Sequence, residues 1–224
     1  MRPKKILIAV PMLKTVVADF TTSLIGAMQN TDGVPCLYAP VVDTLVWNAR
    51  NKLMITAMEK GCDYIMWFDS DMTFENDTIL KMIRHMEEGY DFVSGLYFSR
   101  VAPVRPVISK ELIWERKENG DVLNNANLYW NYPKDEVFEI AASGFGCVMM
   151  KTEIILKAVE YFNESPFNPL PQMGEDYSCC WRLSQMGVKM YCDSSIKCGH
   201  VGYFTYTEDT YLKEMERYGR ENSD

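Results

Sequence analysis

The segment Tyr64–Phe68 places five bulky side chains in a row, and Asp69-Ser70-Asp71 follows at once. An unbroken apolar run of this length predicts a strand buried on both faces, as in a parallel sheet. The carboxyl ends of such strands form the edge at which open α/β sheets bind ligands. Side chains two residues apart on a strand share a face, so Asp69 and Asp71 are expected to point the same way.

Two neighbouring carboxylates repel each other unless a cation lies between them. Hard divalent ions such as Mg²⁺ and Mn²⁺ prefer oxygen ligands, and an ion held here could neutralise a diphosphate. The spacing therefore predicts metal ligands in Asp69 and Asp71. Two aspartate side chains turned away from any shared cavity, or locked by lysine or arginine partners, would end the case for that ion. The alternative is a helix N-cap followed by a solvated acid, because Asp and Asn are common caps.

Composition narrows the class of protein. The 224 residues are 47% hydrophobic, enough for one well-packed domain, and the net charge of −8 argues against duplex nucleic acid as a partner. No apolar run approaches the roughly 20 residues of a membrane span. The apolar start is cut short by Pro11 and Lys14, so a cytoplasmic protein is expected. Seven cysteines without a CxxC pair are expected to be small buried residues. A zinc site formed by Cys192, Cys198 and His200 is not expected, because their spacing fits no common zinc module.

Strand and helix patterns alternate through the first hundred residues. The predicted strands are 5–12, 35–42, 64–68 and 91–98, and the predicted helices are 18–29, 45–60 and 76–89. This alternation predicts an α/β fold with a mostly parallel central sheet flanked by helices. In the second half, strands are predicted at 137–142, 146–150 and 188–192, with helices over 152–162 and 174–186 and a polar helix at the end.

Residues 99–136 are more polar and predict a small β-hairpin and loop insertion. Asn119-Gly120 is the turn signal. The insertion also contains four large aromatic side chains, which either stack on a sugar acceptor or pack the insertion against the domain: Trp114, Tyr129, Trp130 and Tyr132.

Further along the chain, polar residues that could bind a ligand or take part in catalysis lie at helix and strand ends. Arg50 lies on the helix before the acids, where a planar guanidinium suits phosphate oxygens, although a solvated surface role is the common one. Glu175 and Asp176 begin a helix after a proline-rich loop. Acids at this position also favour the helix dipole whatever the function, but a carboxylate facing the metal site could deprotonate an attacking hydroxyl. His200, in a glycine-flanked loop after the last core strand, suits a third metal ligand.

Taken in order, these motifs resemble the metal-dependent GT-A glycosyltransferases, in particular the family 2 enzymes and small bacteriophage-encoded relatives. The resemblance covers about residues 4–204. It depends on Val10-Pro11, Ala49-Arg50-Asn51, Asp69-Ser70-Asp71, Gly144-Phe145-Gly146, Glu175-Asp176 with Arg182, and Gly199-His200.

The resemblance implies one GT-A (Rossmann-like) domain over 1–224. It would comprise a nucleotide-binding half (1–98), the insertion (99–136), an acceptor and catalytic half (137–206) and a C-terminal helix and tail (207–224). It further implies transfer of a sugar from a nucleotide-sugar donor, UDP- or GDP-linked, to a carbohydrate or other hydroxyl acceptor, with Mn²⁺ or Mg²⁺ as cofactor.

The resemblance also implies roles for individual residues. Asp71 and His200 would bind the metal, and Asp69 would reach the ribose or the metal. The nucleotide sugar would be contacted by Pro11, Arg50 and Ser70 and bordered by Gly144 and Phe145. As in inverting members, Asp176 would be the base, with Glu175 as its neighbour or substitute, although retaining enzymes share the DxD and the histidine.

Three other functions fit parts of the sequence. Asp69-Ser70-Asp71-Met72-Thr73 matches the DxDxT signature of HAD-type phosphotransferases, but that motif normally lies on the first strand. A nucleotidyltransferase of similar fold would carry a glycine-rich loop after the first strand, where Met12-Leu13-Lys14-Thr15 stands instead. A non-catalytic carbohydrate-binding protein would not need both acid pairs.

Overall fold

The structure, a computed structural model, describes residues 4–202 and 205–221, so residues 1–3 and 222–224 of the predicted 1–224 domain lie outside the described part. Its strands are, in chain order, β1 (Ile6–Met12), β2 (Cys36–Val42), β3 (Tyr64–Phe68), β4 (Met72–Thr73), β5 (Phe92–Leu96), β6 (Ile108–Arg116), β7 (Val122–Leu128), β8 (Val137–Ile140), β9 (Ala142–Ser143), β10 (Cys147–Lys151), β11 (Met190–Lys197), β12 (Gly199–Val201) and β13 (Thr205–Tyr206). Its helices are α1 (Ala18–Met28), α2 (Val46–Glu59), α3 (Thr78–Glu87), α4 (Thr152–Phe162), α5 (Glu175–Gln185) and α6 (Glu208–Glu221).

The main sheet of the described residues contains seven strands in the order β2-β1-β3-β10-β5-β11-β8. Five of them run in one direction, while β10 and β8 are antiparallel to their neighbours. The predicted α/β fold with a mostly parallel sheet is therefore confirmed. The antiparallel β10 at the centre was not predicted, because a short apolar run carries no signal for its direction.

Strand β3 is buried on both faces, as its apolar run predicts. Ile65 and Trp67 pack into the layer that contains residues of α2, α4 and α5, whereas Met66 and Phe68 pack into the opposite layer with α1 and α3. All four side chains are fully buried. This double burial fixes the point at which the chain leaves the sheet and therefore the position of Asp69.

The insertion forms the predicted hairpin. Strands β6 and β7 pair antiparallel, and Lys117 N–H donates to Asp121 O at 2.8 Å across the turn. The indole of Trp114 donates to Pro171 O at 3.0 Å and packs against Trp181, and Tyr132 is buried. These two aromatic side chains therefore pack the insertion against the domain.

None of the helices within the described ranges combines the length and apolar character needed to cross a membrane.

Candidate active site

The two acids after β3 lie in a turn and contact different partners. Strand β3 ends before Asp69, and Met72 N–H donates back to Asp69 O at 3.2 Å. Asp69 Oδ1 accepts a hydrogen bond from Arg50 at 2.9 Å, while Asp71 Oδ2 accepts one from Arg100. The expectation that both acids share one face rests on strand periodicity, which ends at Phe68, and the two acids contact different arginines. Arginine partners on both acids count against an ion shared between them.

Arg50 is buried, with 2% of its side chain exposed. Its Nη2 donates to Asp69 and its Nε donates to Glu175 Oε1 at 3.1 Å. The guanidinium lies 5.6 Å from the ring centroid of Trp67 and 5.3 Å from that of Phe145, within cation–π range. Burial alone would lower the pKa of Arg50, but the charges of Asp69 and Glu175 outweigh it and raise the pKa. Arg50 therefore joins two acids from different elements, and its predicted phosphate contact stays a prediction.

His200 reaches Asp71 through backbone pairing of β12 with β4, in which His200 is opposite Met72. Its Nδ1 lies 2.9 Å from Phe98 O, and since a carbonyl only accepts, Nδ1 carries the proton and donates it. The other ring nitrogen, Nε2, lies 3.6 Å from Asp71 Oδ1, a buried oxygen without a closer polar partner among the described residues. Burial raises the pKa of Asp71, but His200 and Arg100 outweigh this and lower it below the ordinary value.

This pair has the chemistry of a divalent-metal site. A carboxylate oxygen without a partner and an imidazole nitrogen whose ring is fixed by a backbone carbonyl are suitable ligands. Within residues 4–202 and 205–221, however, no group of three His, Cys, Asp or Glu side chains is arranged to hold an ion. Of the predicted set Asp69, Asp71 and His200, the structure brings the last two within 3.6 Å of each other, whereas Asp69 contacts Arg50.

The close pairing of β12 with β4 requires glycine before His200. A Cβ atom at Gly199 would lie 2.4 Å from Thr73 Oγ1, which is closer than nonbonded atoms approach. Glycine at 199 therefore lets the strand carry His200 up to Asp71.

A cavity of about 570 Å³ opens beside Asp71. Its polar wall consists of Ser70, Asp71 and Arg100, and the rest of the wall consists of Leu13, Thr15, Val16, Val17, Val101, Val201 and Gly202. The predicted residue Ser70 lines it directly. Pro11 is buried within β1, and the residues that follow β1 provide the wall in its place.

The acid pair at the start of α5 divides into two roles. Glu175 is occupied by Arg50, as described above. Asp176 instead lines a second cavity, of about 380 Å³, together with Ser99, Arg105 and Tyr177 and the hairpin residues Ala126 and Leu128. Burial, followed by the charge of Glu175, raises the pKa of Asp176 from 3.8 to about 6. Such a carboxylate is a stronger base than an exposed one and is still ionised at neutral pH.

The proline-rich loop before α5 is held by Arg182, which is 2% exposed. Its guanidinium donates to Pro166 O at 2.9 Å, to Asn168 O at 2.7 Å and to Glu164 Oε1 at 2.7 Å. Ser178 Oγ donates to Gly174 O at 2.7 Å, at the N-terminus of α5. These bonds fix the direction in which Asp176 leaves the helix.

The Gly144-Phe145-Gly146 segment is buried and lines neither of these cavities, so its predicted contact with the donor sugar stays a prediction. Phe145 is 1% exposed and packs against Trp67 and Phe167. Glycine is needed at 144 because a Cβ atom there would lie 2.1 Å from Tyr97 Oη. Tyr97 Oη in turn accepts a hydrogen bond from Gly146 N–H at 3.1 Å.

Substitution of Gly144 by alanine is expected to destabilise the protein by about 1–3 kcal/mol, as overpacking of a core does. The added Cβ would collide with Tyr97 Oη, so the cost should be smaller when Tyr97 is already phenylalanine. Urea unfolding of Gly144→Ala, Tyr97→Phe and the double variant measures this coupling. Strictly additive effects would show that the hydroxyl does not set the requirement for glycine.

Five polar residues of the two cavities were not predicted: Thr15, Ser99, Arg100, Arg105 and Tyr177. A signal for Arg100 was available, because it lies in the loop that follows β5, and β5 ends at the same edge of the sheet as β3. Tyr177, whose hydroxyl lies 2.9 Å from Ser109 Oγ, follows Asp176 but had no pattern of its own.

Comparison with known proteins supports the resemblance. The family model described as glycosyl transferase family 2 matches residues 47–135, which include α2, both acids and most of the insertion. The resemblance to family 2 glycosyltransferases is confirmed. Glycosyltransferases of this family use a nucleotide-sugar donor and an acceptor, and often a divalent metal, so the match supports glycosyl transfer in general.

Among solved structures, the crystal structure of A197 from STIV is similar to this chain, with a TM-score of 0.59 and 16% identity. The match covers 89% of this chain and 86% of that chain. At this identity the likeness concerns the fold alone, a mixed α/β domain with a central sheet flanked by helices. No curated protein matches the sequence.

Proposed function

We propose that this protein is a glycosyltransferase that moves a sugar from a UDP- or GDP-sugar to a hydroxyl acceptor with inversion at the anomeric carbon. The observation that carries the proposal is the placement of Asp176. Its carboxylate, with a pKa raised to about 6, lines a cavity connected to the Asp71 cavity through two consecutive residues, Ser99 and Arg100. One residue of that segment lines each cavity.

The Asp71 cavity is suited to the donor. Apolar side chains of Leu13, Val16 and Val17 can cover the nucleoside, while Ser70 and Arg100 can donate hydrogen bonds to phosphate oxygens. In a protein with a net charge of −8, a local positive charge such as that of Arg100 is needed to offset the charge of a diphosphate.

The Asp176 cavity is suited to the acceptor. The acceptor hydroxyl would give its proton to the Asp176 carboxylate while its oxygen forms a bond to the anomeric carbon. The bond between that carbon and the diphosphate breaks on the opposite side, and the electron pair leaves with the nucleoside diphosphate. Glu175 would act indirectly, since its charge raises the pKa of Asp176.

Asp71 and His200 would hold the metal, Mn²⁺ or Mg²⁺, and a bound divalent ion would supply positive charge for the departing diphosphate. Asp71 supplies an oxygen without another partner, and Phe98 O orients the imidazole through Nδ1. Asp69, paired with Arg50, would hold the loop between β3 and β4 in place.

Thermal shift and donor hydrolysis across UDP-, GDP- and CMP-sugars, with and without Mn²⁺, would test the proposal. We expect one nucleotide to stabilise the protein only when Mn²⁺ is present, and Asp71→Ala to abolish that stabilisation. Asp91→Ala is a matched control, because Asp91 pairs with Lys151 at the opposite end of β5.

Two results would favour other functions. Hydrolysis of a generic phosphate ester that is lost in Asp69→Asn would indicate a HAD-type phosphotransferase. Binding of carbohydrate without turnover or metal dependence would indicate a non-catalytic binding protein. Either result would contradict the proposed transferase.

A further inference from the structure

Arg100 closes one side of the donor cavity by binding Asp71. It lies in the loop that follows β5. Its Nη1 donates both to Asp71 Oδ2 and to Val201 O, the latter at 3.2 Å. Its side chain is nevertheless 47% exposed, so the pair lies at the cavity wall and not in the core. A half-exposed ion pair of this kind exchanges partners easily, since water competes for both groups.

Arg100 also has unused binding capacity. A guanidinium carries five N–H donors, and within the described residues only those of Nη1 have partners. Arg100 is the one basic side chain among the described residues that line the cavity. Its free edge therefore presents the charge and fork geometry that match a phosphate group.

A guanidinium and a divalent ion cannot both bind Asp71 closely without repelling each other. We propose that Arg100 is an exchangeable counter-ion, which pairs with Asp71 in the free protein and moves to the donor diphosphate when a metal binds Asp71. This inference rests on the proposed function and deepens it. Metal and nucleoside diphosphate would then bind with positive coupling. The diphosphate draws away the guanidinium that would repel the metal, and the metal replaces the partner that Asp71 loses when Arg100 binds the diphosphate.

The exchange predicts opposite effects of one substitution on two ligands. In Arg100→Ala, Asp71 has lost its competing cation, so Mn²⁺ alone should bind about tenfold more tightly than to the wild type. In saturating Mn²⁺, the same variant should bind UDP and GDP about tenfold or more weakly, because the diphosphate has lost its guanidinium; a charge-assisted hydrogen bond is of this order. Titration calorimetry and the electron paramagnetic resonance signal of free Mn²⁺ measure both affinities without turnover.

Two further variants separate the exchange from other effects. Arg116→Ala removes one positive charge at the far end of β6 and should change neither affinity. Arg100→Gln keeps much of the side-chain volume and should reproduce both effects, which guards against misfolding of the alanine variant.

Unchanged Mn²⁺ affinity, or unchanged nucleotide affinity, in both Arg100 variants would overturn the exchange. Weaker Mn²⁺ binding in both would also overturn it, because Arg100 would then only hold Asp71 in place. Failure of the proposed function appears differently: Asp71→Ala would then leave Mn²⁺ binding unaltered whatever stands at position 100.

Discussion

Replacement of Asp176 by asparagine is expected to lower the rate of glycosyl transfer by about 10²-fold or more while donor affinity is retained. Asparagine has nearly the same shape but cannot accept the acceptor proton at neutral pH. Donor contacts should persist because Asp176 lines the second cavity and not the cavity beside Asp71. Turnover measured with saturating donor, together with calorimetric donor affinity, distinguishes the two effects.

The same residue should set the pH dependence of the rate. The pKa of Asp176 is about 6, so the base is protonated below that pH and transfer by the wild type should fall there. The asparagine variant should lack this acidic limb. Glu175→Gln is the matched control: it should shift the limb to lower pH, because the charge of Glu175 helps to raise the pKa of Asp176.

The free energy of unfolding should depend on pH in the opposite sense to the rate of transfer. A carboxyl pKa raised from 3.8 to about 6 means that the folded state holds the proton more tightly than the unfolded state. Wild-type stability therefore decreases as pH rises through this window. Asp176→Asn should then be more stable than the wild type at pH 7–8, by roughly 1–2 kcal/mol, with the gain vanishing below about pH 4. Unchanged turnover in Asp176→Asn would remove Asp176 from the role of base, whatever the stability of the variant.

Replacement of Arg50 by methionine is expected to cost about 3–5 kcal/mol of unfolding free energy, the largest effect on stability anticipated in this chain. The substitution leaves Asp69 and Glu175 without their shared cation. Methionine fills the space between Trp67 and Phe145, so a cavity would contribute little to the loss. Urea denaturation at pH 7 measures the change.

A charge-neutral variant controls for the packing. Arg50→Met combined with Asp69→Asn and Glu175→Gln removes all three charges and should recover much of the lost stability, because an ion pair replaced as a whole costs far less than one broken. Lys14→Ala, which breaks an exposed pair with Asp43, should change stability little. A loss below about 1 kcal/mol in Arg50→Met would contradict the bridging role of Arg50.

Hydrophobic periodicity predicted most of the fold. The long apolar patterns placed β1, α2, β3 and α4 within a residue or two of their observed bounds, because helices and buried strands differ clearly in period. The direction of β10 was beyond this reasoning. Strand β10 pairs with both β3 and β5, which lie far from it in the sequence. Its direction therefore depends on distant parts of the chain.

The site was predicted less completely, for a related reason. Spacing located the acids, His200 and Asp176, but not their partners, and the partners decide the roles. Arg50 was expected at a phosphate, yet 2% exposure and two acid partners make it a buried bridge. Gly144 was expected at the donor, yet the position of Tyr97 Oη explains it. A sequence indicates that a side chain can be charged or small; packing from elsewhere in the chain determines what it meets.

On the proposed function, the Asp71 and Asp176 cavities are two halves of one transferase site. A crystal structure with Mn²⁺ and a non-hydrolysable UDP- or GDP-sugar would show whether they are. We predict the ion on Asp71 and His200, the diphosphate against Arg100, and the anomeric carbon facing the Asp176 carboxylate. A diphosphate bound away from Asp71, or a sugar whose anomeric carbon faces away from Asp176, would contradict the claim.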